Sequence, residues 1–226
     1  MLRKDGFAMR MVAAVVILAA LQGATGEVVH FDRCDSGGLP PHWSVVMTHS
    51  GGPPRWGLVK DSTAPSPPCV LAQLSTDSTA GRFPLAIWNG AGFRDGDVSV
   101  AFKPVAGTVD QAAGIVWRYR DPDNYYIVRA NALENNVVLY KVLNGIRGSI
   151  APIGLPSRAY GVKHSIASQH WATLRVTFQG KLFTVFLNGE KLFVAEDSSI
   201  ESAGKTGLWT KADSVTYFDN FEVKQK

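Results

Sequence analysis

Long apolar runs are scarce in this sequence. The longest, "MVAAVVILAAL" at Met11 to Leu21, has 11 residues, about half of the roughly 20 that a membrane-spanning helix needs. A stable membrane span is therefore not expected. The run follows the basic residues Arg3, Lys4 and Arg10 and precedes "QGATG", with Ala24 and Gly26 at the −3 and −1 positions of a cleavage site. That order is the anatomy of a secretory signal peptide over residues 1–26, with secreted or periplasmic localisation as the expectation. No cysteine directly follows the run, as attachment of a lipid there would require.

Charge of one sign is also lacking. The leader holds three of the 23 Lys and Arg and one of the 19 Asp and Glu, so residues 27–226 carry 20 against 18, or +2. Nucleic-acid binding needs a concentrated basic face, and this balance does not supply one. Cysteine is sparse: Cys34 and Cys69 are the only two. In an oxidising compartment they most simply pair, closing a loop worth roughly 3–4 kcal/mol in the chain-entropy picture. Two buried free thiols are the alternative, since spacing alone does not fix their geometry. No CxxC motif or His/Cys cluster points to structural zinc.

Long amphipathic helices are missing as well. Short β-branched and aromatic runs recur instead, fifteen of them from "EVVHF" to "SVTYFDNFEV", with Gly, Pro, Asn and Asp between. This pattern predicts an all-β protein, a sandwich or barrel, in one domain over 27–226. Hairpin turns are expected at Gln179-Gly180 and Asn188-Gly189, since Asn-Gly suits a two-residue turn with positive φ at both positions. "PSRAYGVKHSIASQ" reads as a loop with one helical turn at most.

Three segments resemble a known superfamily: "GIVWRYRDPDNYYIVRAN", "HWATLRVTFQGKLFTVFLNGEKLF" and "GKTGLWTKADSVTYFDNFEV". In order and spacing they are similar to concanavalin A-like lectin/glucanase jelly rolls, most of all to laminin G-like and 3-keto-disaccharide hydrolase-type domains of secreted bacterial proteins. The resemblance covers about residues 90–226 and implies a jelly-roll sandwich whose concave face binds carbohydrate. That superfold hosts lectins, hydrolases, lyases and adhesion modules, so it does not by itself fix an activity.

Alternation sharpens the first segment. Residues two apart on a strand share a face, so Ile115, Trp117 and Tyr119 form one set and Arg118 points the other way with Val116. Across the Asp121-Pro122-Asp123-Asn124 turn, Tyr126, Val128 and Ala130 form the buried set. Arg118, Tyr125, Arg129 and Asn131 are then expected on one solvated face, where guanidinium donors beside a phenol ring suit sugar hydroxyls and an apolar ring face. A plain cross-strand Arg–Tyr scaffold is the competing explanation. The resemblance adds Trp209 and Lys211 as ligand contacts from "LWTKADSV", and a structural calcium at Asp219 in "YFDNFEV". Calcium needs six to eight oxygens, which one Asp does not supply.

Motifs of known catalysts are absent. The glucanase E-x-D-x-E strand pattern, the alginate-lyase Q-I-H pattern and a nucleophile elbow do not occur. Cleavage of 3-keto-glycosides needs less, because a proton beside a ketone is acidic and one base with a cationic stabiliser suffices. The candidates for that base are Asp213 and Asp123, near Arg118 or Lys211. Carbohydrate binding is thus the leading expectation. Cleavage of 3-keto-disaccharides and a laminin G-like protein-interaction module are the alternatives.

Overall fold

A computed structural model describes residues 26–34 and 38–226. The expected leader, apart from Gly26, lies outside the described residues. In chain order the strands are β1 (Gly26–Val29), β2 (Trp43–Thr48), β3 (Trp56–Lys60), β4 (Cys69–Gln73), β5 (Phe83–Phe93), β6 (Gly96–Ala106), β7 (Ala112–Asp121) and β8 (Asn124–Asn131). They continue as β9 (Asn136–Leu143), β10 (Ile146–Ile150), β11 (Val162–Lys163), β12 (Ala172–Gln179), β13 (Leu182–Leu187), β14 (Glu190–Glu196), β15 (Gly204–Trp209) and β16 (Val215–Gln225). All fifteen expected runs form strands. The stretch read as a loop adds the two-residue β11 and no helix.

Every pairing is antiparallel. One sheet runs β14-β13-β12-β6-β16-β4-β3, with β1 also on β16; the other runs β10-β9-β8-β7-β15-β5-β2, with β11 also on β9. The fold is a two-sheet antiparallel jelly-roll sandwich, as the resemblance implies. Asn188 and Gly189 have φ of 50° and 82°, which is the I′-type turn expected there. The β12–β13 turn is centred one residue later than expected, on Gly180 and Lys181, because Gln179 pairs with Leu182.

The inner faces meet over a broad apolar core. Trp117 stacks on Phe178 at 5.7 Å and meets Phe183 edge-on at 5.3 Å. Val98, Val100, Phe102, Leu174 and Val176 from one sheet face Ile115, Tyr126, Val128 and Leu139 from the other. Full burial of a side chain of Phe size contributes about 1.5–3 kcal/mol. Cys34 and Cys69 are joined in a disulfide, with Cα atoms 5.9 Å apart, tying the segment after β1 to β4.

The second sheet is strongly curled. Neighbouring strands lie about 4.8 Å apart, so β2 and the β9–β10 turn would be about 25 Å apart in a flat sheet. Yet His49, just after β2, lies with Nε2 2.7 Å from the Gly145 carbonyl in that turn. Thr48 Oγ1 donates to Pro122 O at 2.6 Å in the β7–β8 turn and meets Tyr125 Oη at 2.6 Å. The face inside the curl is therefore concave, and its turn end is sealed by these contacts.

Candidate functional site

The concave face is built by strand register. Val46, Leu85, Trp209, Gly114, Arg129 and Val138 align in one row across β2, β5, β15, β7, β8 and β9. A Cβ on Gly114 would stand 3.0 Å from Val128 O, 3.2 Å from Ile127 Cγ2 and 3.3 Å from Trp209 Cβ, so this position lets its neighbours close in against the backbone. A second row adds Ile127 and Tyr140, and a third adds Tyr125, Val142 and Arg147.

Two polar clusters close the far end. Arg129 forks both oxygens of Glu134 at 2.9 Å and donates to Asn136 Oδ1 at 2.6 Å. Burial alone would raise the Glu134 pKa, but the Arg129 guanidinium outweighs it and lowers the pKa to about 2. Lys211 donates to Asp110 Oδ2 at 2.6 Å, and Asn131 donates to Asp110 Oδ1 at 2.6 Å and to Glu134 Oε1 at 3.3 Å. Tyr140 Oη and Tyr160 Oη lie 2.5 Å apart, and burial pushes the Tyr140 phenol up, which keeps it neutral.

Arg147 lies across the middle. Its guanidinium carbon is 4.5 Å from the centre of the Tyr140 ring, 4.7 Å from Phe83 and 5.9 Å from Trp209. That of Arg129 is 5.6 Å from the same Tyr140 ring and 5.8 Å from Tyr160. Arg147 forms no ion pair among the described residues, and its buried Nη1 has no hydrogen-bond partner; neither has Arg129 Nε.

The structure therefore brings together Tyr125, Arg129, Asn131, Trp209 and Lys211 on one face, as expected. The face is not solvated as expected: Tyr125, Arg129, Asn131 and Trp209 are each 0% exposed. The curl covers them with Arg147, Tyr140 and Tyr160, and Lys211, Glu134, Arg147 and the 48%-exposed Tyr160 meet solvent instead.

Arg118 is a correction. A bulge sets four residues of β7, from Val116 to Tyr119, against three of β15, from Gly207 to Lys205. Arg118 takes φ 48° there, and the alternation slips by one residue. Tyr119 moves to the concave face beside Tyr125, ring centres 6.0 Å apart, while Arg118 turns into the end of the sandwich. It donates through Nε to Arg94 O at 2.9 Å, through Nη1 to Ile200 O at 2.7 Å and through Nη2 to Gly180 O at 2.5 Å.

The candidate bases are also placed otherwise. Asp213 accepts backbone N–H bonds from Thr108 at 2.6 Å, Val109 at 3.1 Å and Asp110 at 2.9 Å, with the Thr108 hydroxyl at 3.0 Å. Burial raises its pKa, and these donors together bring it below the usual carboxylate range. It anchors a loop rather than taking protons. Asp123 sits exposed in the Pro122–Asp123 turn at the sealed end, while every nitrogen of Arg118 is turned to carbonyls elsewhere.

Asp219 does not offer a calcium site. It is fully buried on the other sheet, and its two oxygens accept the Ser66 and Asn220 N–H groups at 2.7 and 2.8 Å. Burial raises its pKa, with Asp32 adding to the rise. Among the described residues no group of three or more His, Cys, Asp or Glu could hold a metal ion.

Sequence reasoning missed Asp110, Glu134, Asn136, Tyr140, Arg147 and Tyr160. A signal for Arg147 exists in Asn144-Gly145: a two-residue turn pairs Val142 with Arg147 and carries the guanidinium onto the Tyr125 face.

No match to a curated protein sequence was found. Solved structures share the fold. The carbohydrate-binding module CBM66 from Bacillus subtilis superposes with a TM-score of 0.60 at 19% identity, covering 80% of this chain and 94% of that one. A GH43 protein from Bacillus licheniformis gives 0.55 at 14% identity over 88% of this chain and 39% of that one. A protein of unknown function from Shewanella oneidensis MR-1 gives 0.53 at 13% identity over 88% and 85%. The decisive match is to a family model spanning residues 43–224, most of the strands of both sheets, and by it the chain belongs to the 3-keto-alpha-glucoside-1,2-lyase-like domain family.

Proposed function

We propose that the chain is a secreted or periplasmic carbohydrate-binding sandwich that takes a sugar on the concave face of its second sheet. One observation carries this reading: Tyr140, Tyr160 and Trp209 lie beside two guanidinium groups that keep unpartnered N–H donors. Aromatic faces stack on the C–H side of a pyranose, and guanidinium N–H groups donate to its oxygens. The family description and the CBM66 name are consistent with a glycoside ligand.

Binding is favoured over cleavage by the state of the carboxylates. Glu134 is neutralised by Arg129, Asp110 is paired with Lys211 and Asp213 is saturated by N–H donors. A general base has a pKa near the working pH, and neither Glu134 nor Asp213 is shifted that way. Family membership favours a second reading, elimination from a 3-keto-α-glucoside.

The test is calorimetric titration with α-glucosides and their 3-keto derivatives, with mass spectrometry of the same mixtures. At least one sugar is expected to bind without being changed, and Tyr160→Ala is expected to weaken it about tenfold, or 1.4 kcal/mol, with melting temperature kept. Appearance of a cleaved product would establish the second reading. Absence of any sugar binding would overturn both.

A further inference from the structure

The arginines of this protein differ in what they hold. Arg82 donates to Gly52 O, Ala212 O, Pro53 O and Ser75 Oγ, Arg118 to three carbonyls, and Arg175 to Asp97. Arg147 is half-buried among Tyr140, Phe83 and Trp209, and among the described residues its side chain is held by ring contacts alone.

Charge on the concave face points the same way. Arg129 and Lys211 each have a carboxylate partner there, Glu134 and Asp110, and Arg147 has no ion pair among the described residues. Glu134 belongs to Arg129 and Asp110 to Lys211, so the uncompensated cation is Arg147. The unpartnered polar atoms of these two arginines, Arg147 Nη1 and Arg129 Nε, are both donors, and both guanidinium carbons lie within 6 Å of the Tyr140 ring centre. Donors cannot satisfy one another, and a neutral hydroxyl satisfies each with only one weak bond. A carboxylate is acceptor-only, planar and matched to the guanidinium fork. Because the Arg147 side chain makes no hydrogen bond among the described residues, turning it toward such a group breaks none of theirs.

We infer that the sugar taken on this face is an acidic one, a uronic acid whose carboxylate is received by Arg147. The inference rests on the carbohydrate-binding reading above and names the class of sugar within it.

The experiment compares a galacturonic acid disaccharide with its methyl ester, which differ in charge and scarcely in shape, by calorimetry on the full chain at low salt. The acid is expected to bind about 10–100-fold more tightly, the range for a hydrogen-bonded charge pair, with the advantage shrinking as salt is raised. Arg147→Met, which keeps an apolar stem over the rings, is expected to erase the acid's advantage, so that acid and ester bind this variant equally. Arg147→Lys is expected to restore part of it. Equal binding of acid and ester overturns the inference and leaves the carbohydrate reading standing. An advantage for the acid that survives in Arg147→Met also overturns it, since the charge would then be read elsewhere. Failure of both compounds to bind removes this inference, and the carbohydrate reading falls only if the glucoside panel is silent as well.

Discussion

Arg118 and Arg147 invite comparison because both lie against aromatic rings in the same curled sheet and look alike in composition. The Arg118 guanidinium carbon is 5.7 Å from Phe183 and 6.0 Å from Tyr126; that of Arg147 is 4.5 Å from Tyr140 and 4.7 Å from Phe83. Arg118 spends its donors on three backbone carbonyls from separate loops, at Arg94, Gly180 and Ile200. The Arg147 side chain spends none on the described residues. A saturated buried guanidinium is a staple that fixes loops. One left with unpartnered donors is held where an outside acceptor can use it. The aromatic–arginine pairing is therefore not diagnostic; the hydrogen-bond ledger of each guanidinium is.

The largest effect expected from this contrast is on stability at the staple. Arg118→Met keeps apolar contact with Phe183 but leaves the Arg94, Ile200 and Gly180 carbonyls without a donor. Breaking a buried charged network of this kind costs about 3–5 kcal/mol. Equilibrium urea unfolding should show a lower midpoint with an unchanged slope. A loss under about 1 kcal/mol would mean that water replaces the guanidinium freely, and the distinction between the two arginines would weaken.

A smaller effect is expected at Glu134, whose ion pair makes Arg129 intermediate between the two cases. Its folded pKa of about 2 lies below the ordinary 4.5. A depressed carboxylate pKa contributes stability that is fully present above the unfolded value and is lost as pH falls from about 4.5 toward 2. The Glu134 side chain is 36% exposed, so solvent screening reduces the contribution to about 1 kcal/mol. Urea midpoints of the wild type should fall across that acid window, and those of Glu134→Gln should fall less. Parallel curves would show that the pair adds nothing beyond its geometry.

Much of this was legible from the sequence, for physical reasons that also mark where legibility stops. A period-two apolar pattern with turn residues between is local, so the strands, the Asn188-Gly189 hairpin and the buried set Tyr126, Val128 and Ala130 could be read directly. The curl of the second sheet is not local. It brings Thr48 to Pro122 and His49 to Gly145 and turns an expected solvated face into a covered trough. The bulge at Arg118 depends on the β15 partner and leaves no mark in β7 itself, so alternation assigned Arg118 and Tyr119 to the wrong sides. Asp213 and Asp219 draw attention as carboxylates, but their roles are set by backbone N–H groups from segments more than a hundred residues away for the loop at Thr108 and for Ser66.

The smallest expected effect on folding is at Arg147, and it tests the comparison most directly. Arg147→Met removes cation–π contact with Tyr140, Phe83 and Trp209 but no side-chain hydrogen bond or ion pair to the described residues, and the thioether still covers the rings. Such contacts are worth about 0.5–1 kcal/mol near the surface, and burial of a flexible apolar chain offsets part of that. The urea midpoint of Arg147→Met should therefore lie close to that of the wild type while Arg118→Met lies far below. If the two variants lose similar stability, Arg147 is a second staple, the trough is sealed by design of the fold, and a ligand would have to displace structure to enter. If Arg147→Met is nearly neutral, the fold does not need the positive charge placed on this face, and a function outside the fold is the remaining reason for it.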